Sequence, residues 1–194
     1  EPFQAGDFKI NLLDAGHVLG SSMIEIEAEG RKIVFSGDLG NPPTPLLRPT
    51  EKITDANYLV IESTYGDRLH EDKKERQLKI ERVIEKTVKN KGVLMILAFS
   101  LERTQELLFE FNELVEKGRV PEVPVFLDSP LAIRATEVYK KYERYYNKEA
   151  QYIISSGDKV FKFPMLRFTL TTEESRAIND VPPPKIVIAG SGMS

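Results

Sequence analysis

The 194-residue sequence contains no cysteine and only two histidines, His17 and His70. Without cysteine there is no disulfide framework and no thiolate-bound zinc. That agrees with a reducing compartment, and the expected location is cytoplasmic. No apolar run approaches the roughly 20 residues of a membrane-spanning helix, and no signal-peptide pattern opens the sequence. Net charge is −3, so no overall basic field attracts nucleic acid, and a site for one must be local. With 41% hydrophobic and 29% charged residues, the composition fits one large globular domain or two small ones. The sequence opens at Glu1-Pro2 without Met and stops at "IAGSGMS", just past an apparent strand, so it is expected to be a piece of a longer protein.

What is present divides near residue 66. Up to about Val60 the pattern is β. "FKINLLDAG" is a short strand, and "SMIEIEAEGRKIVFSG" runs out, turns at Glu29-Gly30 and returns through Ile33, Val34 and Phe35, a hairpin signal. "NPPTPLLRPT" is a Pro-rich loop and "NYLVIES" another strand. Beyond Asp67 the period becomes helical, with Ile80, Ile84 and Val88 on one face and Gly92 as the stop. "VLMILAF" reads as a strand buried on both sides. Leu107, Leu108, Phe111, Leu114 and Val115 then mark a second helix, "VPVFLD" a strand, and "SPLAIRATEVYKKYERYYN" a helix opened by Ser129 and Pro130. Residues 147–184 carry little pattern, and "KIVIAG" is a last strand. This alternation predicts a mostly parallel sheet covered by helices.

Several strands end in groups that carry chemistry. His17 follows Ala-Gly, Asp38 follows Ser-Gly, and Glu62 closes "LVIE". Small neighbours let the backbone turn and another atom approach. His and Asp are standard zinc ligands, and a carboxylate can also orient a histidine. Each residue has a plainer reading too: a structural histidine, a turn aspartate bonding its own backbone, a loop-starting glutamate. In the second part, Ser100, Ser129 and Ser191 end strands, with Gly192 following. Ser100 and Ser129 are expected at helix N-termini, which favour anions, although serine is also a common N-cap. Arg103 falls in the first turn after Ser100, where a cation opposes the helix dipole unless it faces a phosphate.

The order of these segments resembles the β-CASP branch of the metallo-β-lactamase superfamily. "DAGHVLGSS" is similar to that superfamily's third motif and "FSGDLG" to its fourth. "IESTYGDRLH" resembles β-CASP motif A, in the form found in RNA-cleaving members related to the nuclease subunit of cleavage and polyadenylation specificity factor. "AFSLERTQELL", "PVFLDSPLA" and "IVIAGSGMS" resemble further stretches of the β-CASP domain. The resemblance implies an α/β protein: a partial metallo-β-lactamase segment over residues 1–66, then a Rossmann-like parallel-sheet β-CASP domain over 67–194, truncated at its C-terminal end. It implies a zinc-dependent ribonuclease in which His17 binds zinc, Asp38 bridges two zinc ions and Glu62 orients a catalytic histidine. Single-stranded RNA would be the partner, with Ser100, Arg103, Ser129, Ser191 and Gly192 as candidate phosphate contacts. His70 recurs in similar sequences and has no assigned role.

The family's upstream His-x-His-x-Asp-His cluster and its two downstream histidines are not in this sequence. A catalytic zinc takes about three protein ligands, so the chain alone is expected to hold no zinc stably and to be inactive. Without the upstream part, residues 1–66 are expected to leave apolar faces and sheet edges open, held together by homodimerisation, strand exchange or packing on the α/β part. Two other readings remain open: a non-catalytic β-CASP scaffold, and a hydrolase of this fold acting on DNA or small molecules.

Overall fold

The computed structural model describes residues 2–69 and 73–191. The chain forms two compact units: residues up to 70 together with Tyr145–Lys148, and the remainder. A short segment far along the sequence thus folds with the first unit, which a single cut in sequence order does not anticipate.

The first unit is a five-stranded sheet in the order β1 (Phe3–Ala5), β2 (Phe8–Asp14), β3 (Ser22–Ala28), β4 (Arg31–Phe35), β5 (Tyr58–Val60). Neighbours are antiparallel except β4 and β5, which run parallel. Glu29 and Gly30 both take positive φ, 51° and 70°, the backbone that a two-residue hairpin turn requires. The β4–β5 connection is the Pro-rich loop, and it supplies core: Leu46 and Leu47 are buried. Leu47 bridges to buried Tyr146, and Asn147 donates its N–H to the Leu46 carbonyl at 2.8 Å. Burying such side chains contributes roughly 1.5–3 kcal/mol each, enough to fasten Tyr145–Lys148 to this unit.

Register places Leu12, Ile24, Phe35 and Val60 in one row across the sheet, and all four are exposed. The opposite face holds buried Met23 and Val34 beside the Lys32–Glu25 ion pair.

The second unit has a four-stranded, all-parallel sheet, β6 (Val93–Phe99), β9 (Lys185–Ser191), β7 (Val125–Asp128), β8 (Leu166–Phe168), ordered β6-β9-β7-β8. Its helices are α1 (Lys73–Lys89), α2 (Arg103–Glu116), α3 (Pro130–Lys141), α4 (Lys148–Ser155) and α5 (Thr172–Ala177). The expected parallel sheet with helices is present, with Leu108, Phe111, Leu127, Ile186 and Ile188 in the core. The reading of "VLMILAF" as buried on both sides is corrected. β6 is an edge strand bonded only to β9, and Val93, Met95, Leu97 and Phe99 point outward, Leu97 with 75% of its surface exposed. Within 147–184 lie α4, β8 and α5. The last opens with a reciprocal capping box between Thr171 and Glu174.

Candidate functional site

Two loops at the ends of β2 and β4 build the first constellation. After β2, Gly16 takes φ +66°, and its N–H is received by Asp14 Oδ1 at 2.8 Å. The next two N–H groups, of His17 and Val18, donate to Ser21 Oγ at 3.1 and 3.2 Å, which winds the loop tightly around His17. After β4, Gly40 donates its N–H to the Ala15 carbonyl at 2.8 Å, so the second loop crosses the first. The crossing admits no side chains. A Cβ on Gly16 would stand 2.8 Å from the Thr50 nitrogen, and one on Gly40 1.9 Å from the Gly16 carbonyl oxygen. The result brings His17 Nε2 to 3.9 Å from Asp38 Oδ2. Both side chains reach solvent, Asp38 with 77% of its side-chain surface exposed.

Glu62 holds this corner from just past β5. Its Oε1 accepts the Leu39 N–H, one residue past Asp38. Its own N–H donates to Ser36 Oγ at 3.0 Å, while the Ser36 N–H donates to the Val60 carbonyl at 2.9 Å. Glu62 therefore stands as an anchor of the Asp38 loop. Gly16, Ser36 and Gly40 are the site residues that sequence reasoning missed. The glycines of "DAGH" and "GDLG" were the available signal. His70, the chain's other histidine, lies outside the described residues.

Zinc takes about three protein donors at roughly 2.0–2.2 Å. Among the described residues no group of three or more His, Asp or Glu side chains gathers at one point. His17 and Asp38 offer two donors, so these residues do not by themselves fit a complete zinc site.

The second constellation lies within the other unit, at the carboxyl ends of its parallel strands. Ser100 and Ser129 are buried, with their hydroxyl oxygens 3.4 Å apart. Gly190 of β9 lies between them: a Cβ there would meet Ser129 Oγ at 2.5 Å and Ser100 Oγ at 2.8 Å. Ser129 caps α3 as expected, its Oγ accepting the Ala132 N–H at 3.2 Å. Ser100 does not cap α2, which is a correction. The helix starts at Arg103, Glu102 occupies the cap position, and no side chain caps it. The physical reason is a turn at Glu102, where φ is +59° and ψ −59° and the Arg103 N–H bonds the Leu101 carbonyl at 2.8 Å. Arg103 has a partner on its own helix. Its Nη1 donates to Glu106 Oε2 at 2.8 Å, so a carboxylate one turn along offsets the dipole. Ser191 ends β9 opposite Phe99. Gly192 lies outside the described residues.

Glu102 is buried, 4% exposed, and its Oε2 accepts a hydrogen bond from the Tyr139 hydroxyl. Burial lifts its pKa from 4.5 to about 8, against the Tyr139 bond, which lowers it.

Residues 104–194 match the family model described as the Beta-Casp domain. The chain carries a β-CASP domain over these residues. It is similar to Ribonuclease TTHA0252 of Thermus thermophilus, 36% identical over 198 residues, covering 100% of this chain and 44% of that protein. It is similar to the RNase J-like protein of Methanocaldococcus jannaschii, at 33% identity over 96% of the chain and 43% of the relative. Cleavage and polyadenylation specificity factor subunit 3 of Dictyostelium discoideum matches at 34% identity over 76% of the chain and 20% of its own length. The chain thus spans less than half the length of these relatives, which are named as nucleases and an RNA-processing factor.

Proposed function

We propose that the β-CASP protein carrying this chain is a zinc-dependent ribonuclease that hydrolyses RNA phosphodiester bonds. The observation that supports this most is the crossing of Gly16 and Gly40. It spends two side-chain-free positions to set His17 beside Asp38 at the solvent-facing ends of two strands. Such a corner stabilises nothing obvious by itself, since an exposed ion pair contributes at most about 1 kcal/mol.

In this reading His17 and Asp38 would be among the residues that hold zinc. The remaining donors come from sequence outside these 194 residues, so the isolated chain is inactive. Zinc held there would supply Lewis-acid chemistry toward a phosphodiester. The chain's own residues do the placing. Glu62 fixes the Asp38 loop through Leu39 and presents its carboxylate to a histidine from outside the chain. Ser100, Ser129, Arg103, Ser191 and Gly192 contribute contacts to the phosphates of single-stranded RNA, which position the strand without reading its sequence.

The test is Asp38→Ala in the full-length protein, assayed on labelled single-stranded RNA with DNA and a β-lactam in parallel. Loss of RNA cleavage by at least about 100-fold, with a native circular dichroism spectrum, is expected. RNA cleavage at the wild-type rate, or turnover of DNA or lactam instead, overturns the reading.

A further inference from the structure

The turn from β6 to α2 holds a residue in an unusual backbone conformation. Glu102 occupies the centre of a γ-turn with positive φ, a rare and strained conformation for a residue with a side chain. Such strain persists only where surrounding contacts fix it. Here several of the contacts lead to α3. The Tyr139 hydroxyl, in the last turn of α3, bonds Glu102 Oε2. Gln105 Nε2 donates to the Ser100 carbonyl at 3.2 Å, the Ala132 carbonyl at 3.3 Å and Thr136 Oγ1 at 3.0 Å. Thr104 Oγ1 donates back to the Phe99 carbonyl at 2.7 Å. At the other end of α3, Ser129 meets Ser100. The turn is therefore fastened to both ends and the middle of one helix, and the residue it delivers is Ser100.

We infer that Glu102 is a positioning residue: its bond to Tyr139 locks the γ-turn and so sets the Ser100 hydroxyl against Ser129 and Gly190. This rests on the reading above, in which that hydroxyl cluster receives an RNA phosphate. One carboxyl oxygen, Glu102 Oε1, is buried with no hydrogen-bond partner among the described residues. Burial outweighs the Tyr139 bond and the Arg103 charge, so the carboxyl favours the neutral acid at pH 7, with its pKa at about 8. The charged groups facing it are Glu106 and Arg103 of α2, and Tyr139 is its hydroxyl partner from α3. Ionisation above pH 8 places a buried charge under the turn and shifts Ser100.

The test follows amide resonances of Ser100, Ser129 and Gly190 in the full chain from pH 6 to 10. The expected result is a titration with its midpoint near 8 in wild type. Glu102→Gln keeps an acceptor for Tyr139 and carries no charge, so it abolishes the titration. Tyr139→Phe removes the bond that favours the carboxylate, so it moves the midpoint upward. A wild type with no such titration, or one that survives Glu102→Gln, overturns the inference. In parallel, affinity for a single-stranded RNA oligonucleotide is expected to fall about threefold more between pH 7 and 9 in wild type than in Glu102→Gln. A resonance titration without that difference upholds Glu102 as a positioning residue and overturns the phosphate reading of the cluster.

Discussion

Gly40 rests on the backbone of Gly16 so closely that a methyl group on Gly40 would lie 1.9 Å from the Gly16 carbonyl oxygen. The two loops cannot part without separating His17 from Asp38. Gly40→Ala in the full-length protein is therefore expected to lower RNA cleavage at least about 100-fold while leaving β-sheet content intact, because displacement of about 1 Å at a reacting centre costs that much. Cleavage rate and circular dichroism together check this. Unchanged cleavage would show that the crossing does not set the site.

Glu62 is expected to matter to stability as well as activity. Glu62→Ala leaves the Leu39 N–H without its acceptor and is expected to cost about 1–3 kcal/mol in urea denaturation. Glu62→Gln keeps an acceptor oxygen and is expected to lose less than half of that. Equal losses in the two variants would place the anchor elsewhere.

These two residues show how far the sequence could be read. His17, Asp38 and Glu62 stand out in the sequence because each closely follows a strand beside small residues. Their partners do not, because Leu39 and Ser36 bond through geometry that spans more than twenty residues of chain. The parallel sheet was legible from alternating periods. The exposure of β6 was not: an apolar run reads alike at the centre and the edge of a sheet, and only pairing decides. Ser100 looked like a cap because serine so often is one, but the γ-turn at Glu102 moved the helix start to Arg103. The Thr171–Glu174 capping box shows the opposite case, a signature present in the sequence and passed over.

Gly190 is expected to tolerate no side chain. Gly190→Ala should destabilise the chain by about 1–3 kcal/mol through overpacking. Ser129→Ala should not rescue it, because Ser129 Cβ itself would lie 2.6 Å from the new carbon. Ser129→Gly should rescue it in part. Thermal unfolding of the variants checks the order, and rescue by alanine would contradict the contact.

The Glu102 carboxyl gives stability a defined pH dependence. The folded chain holds its proton up to about pH 8, whereas the unfolded chain releases it near 4.5. Folding takes up a proton between those values, so stability falls as pH rises through that window. Relative to Glu102→Gln, wild type is expected to lose about 1–3 kcal/mol between pH 5 and 8 in urea titrations. Parallel curves for the two proteins would contradict it.

The exposed row Leu12, Ile24, Phe35 and Val60 is expected to drive self-association of the 194-residue chain on its own. Sedimentation velocity should show mass rising with concentration, reduced by Phe35→Lys. A strictly monomeric wild-type chain would contradict this.

Metal content of the full-length protein tests the central claim most directly. About two zinc ions per chain are expected in wild type, with fewer than half that number retained in both His17→Ala and Asp38→Ala of native fold. Wild-type zinc content in either variant would contradict the assignment of this pair as ligands.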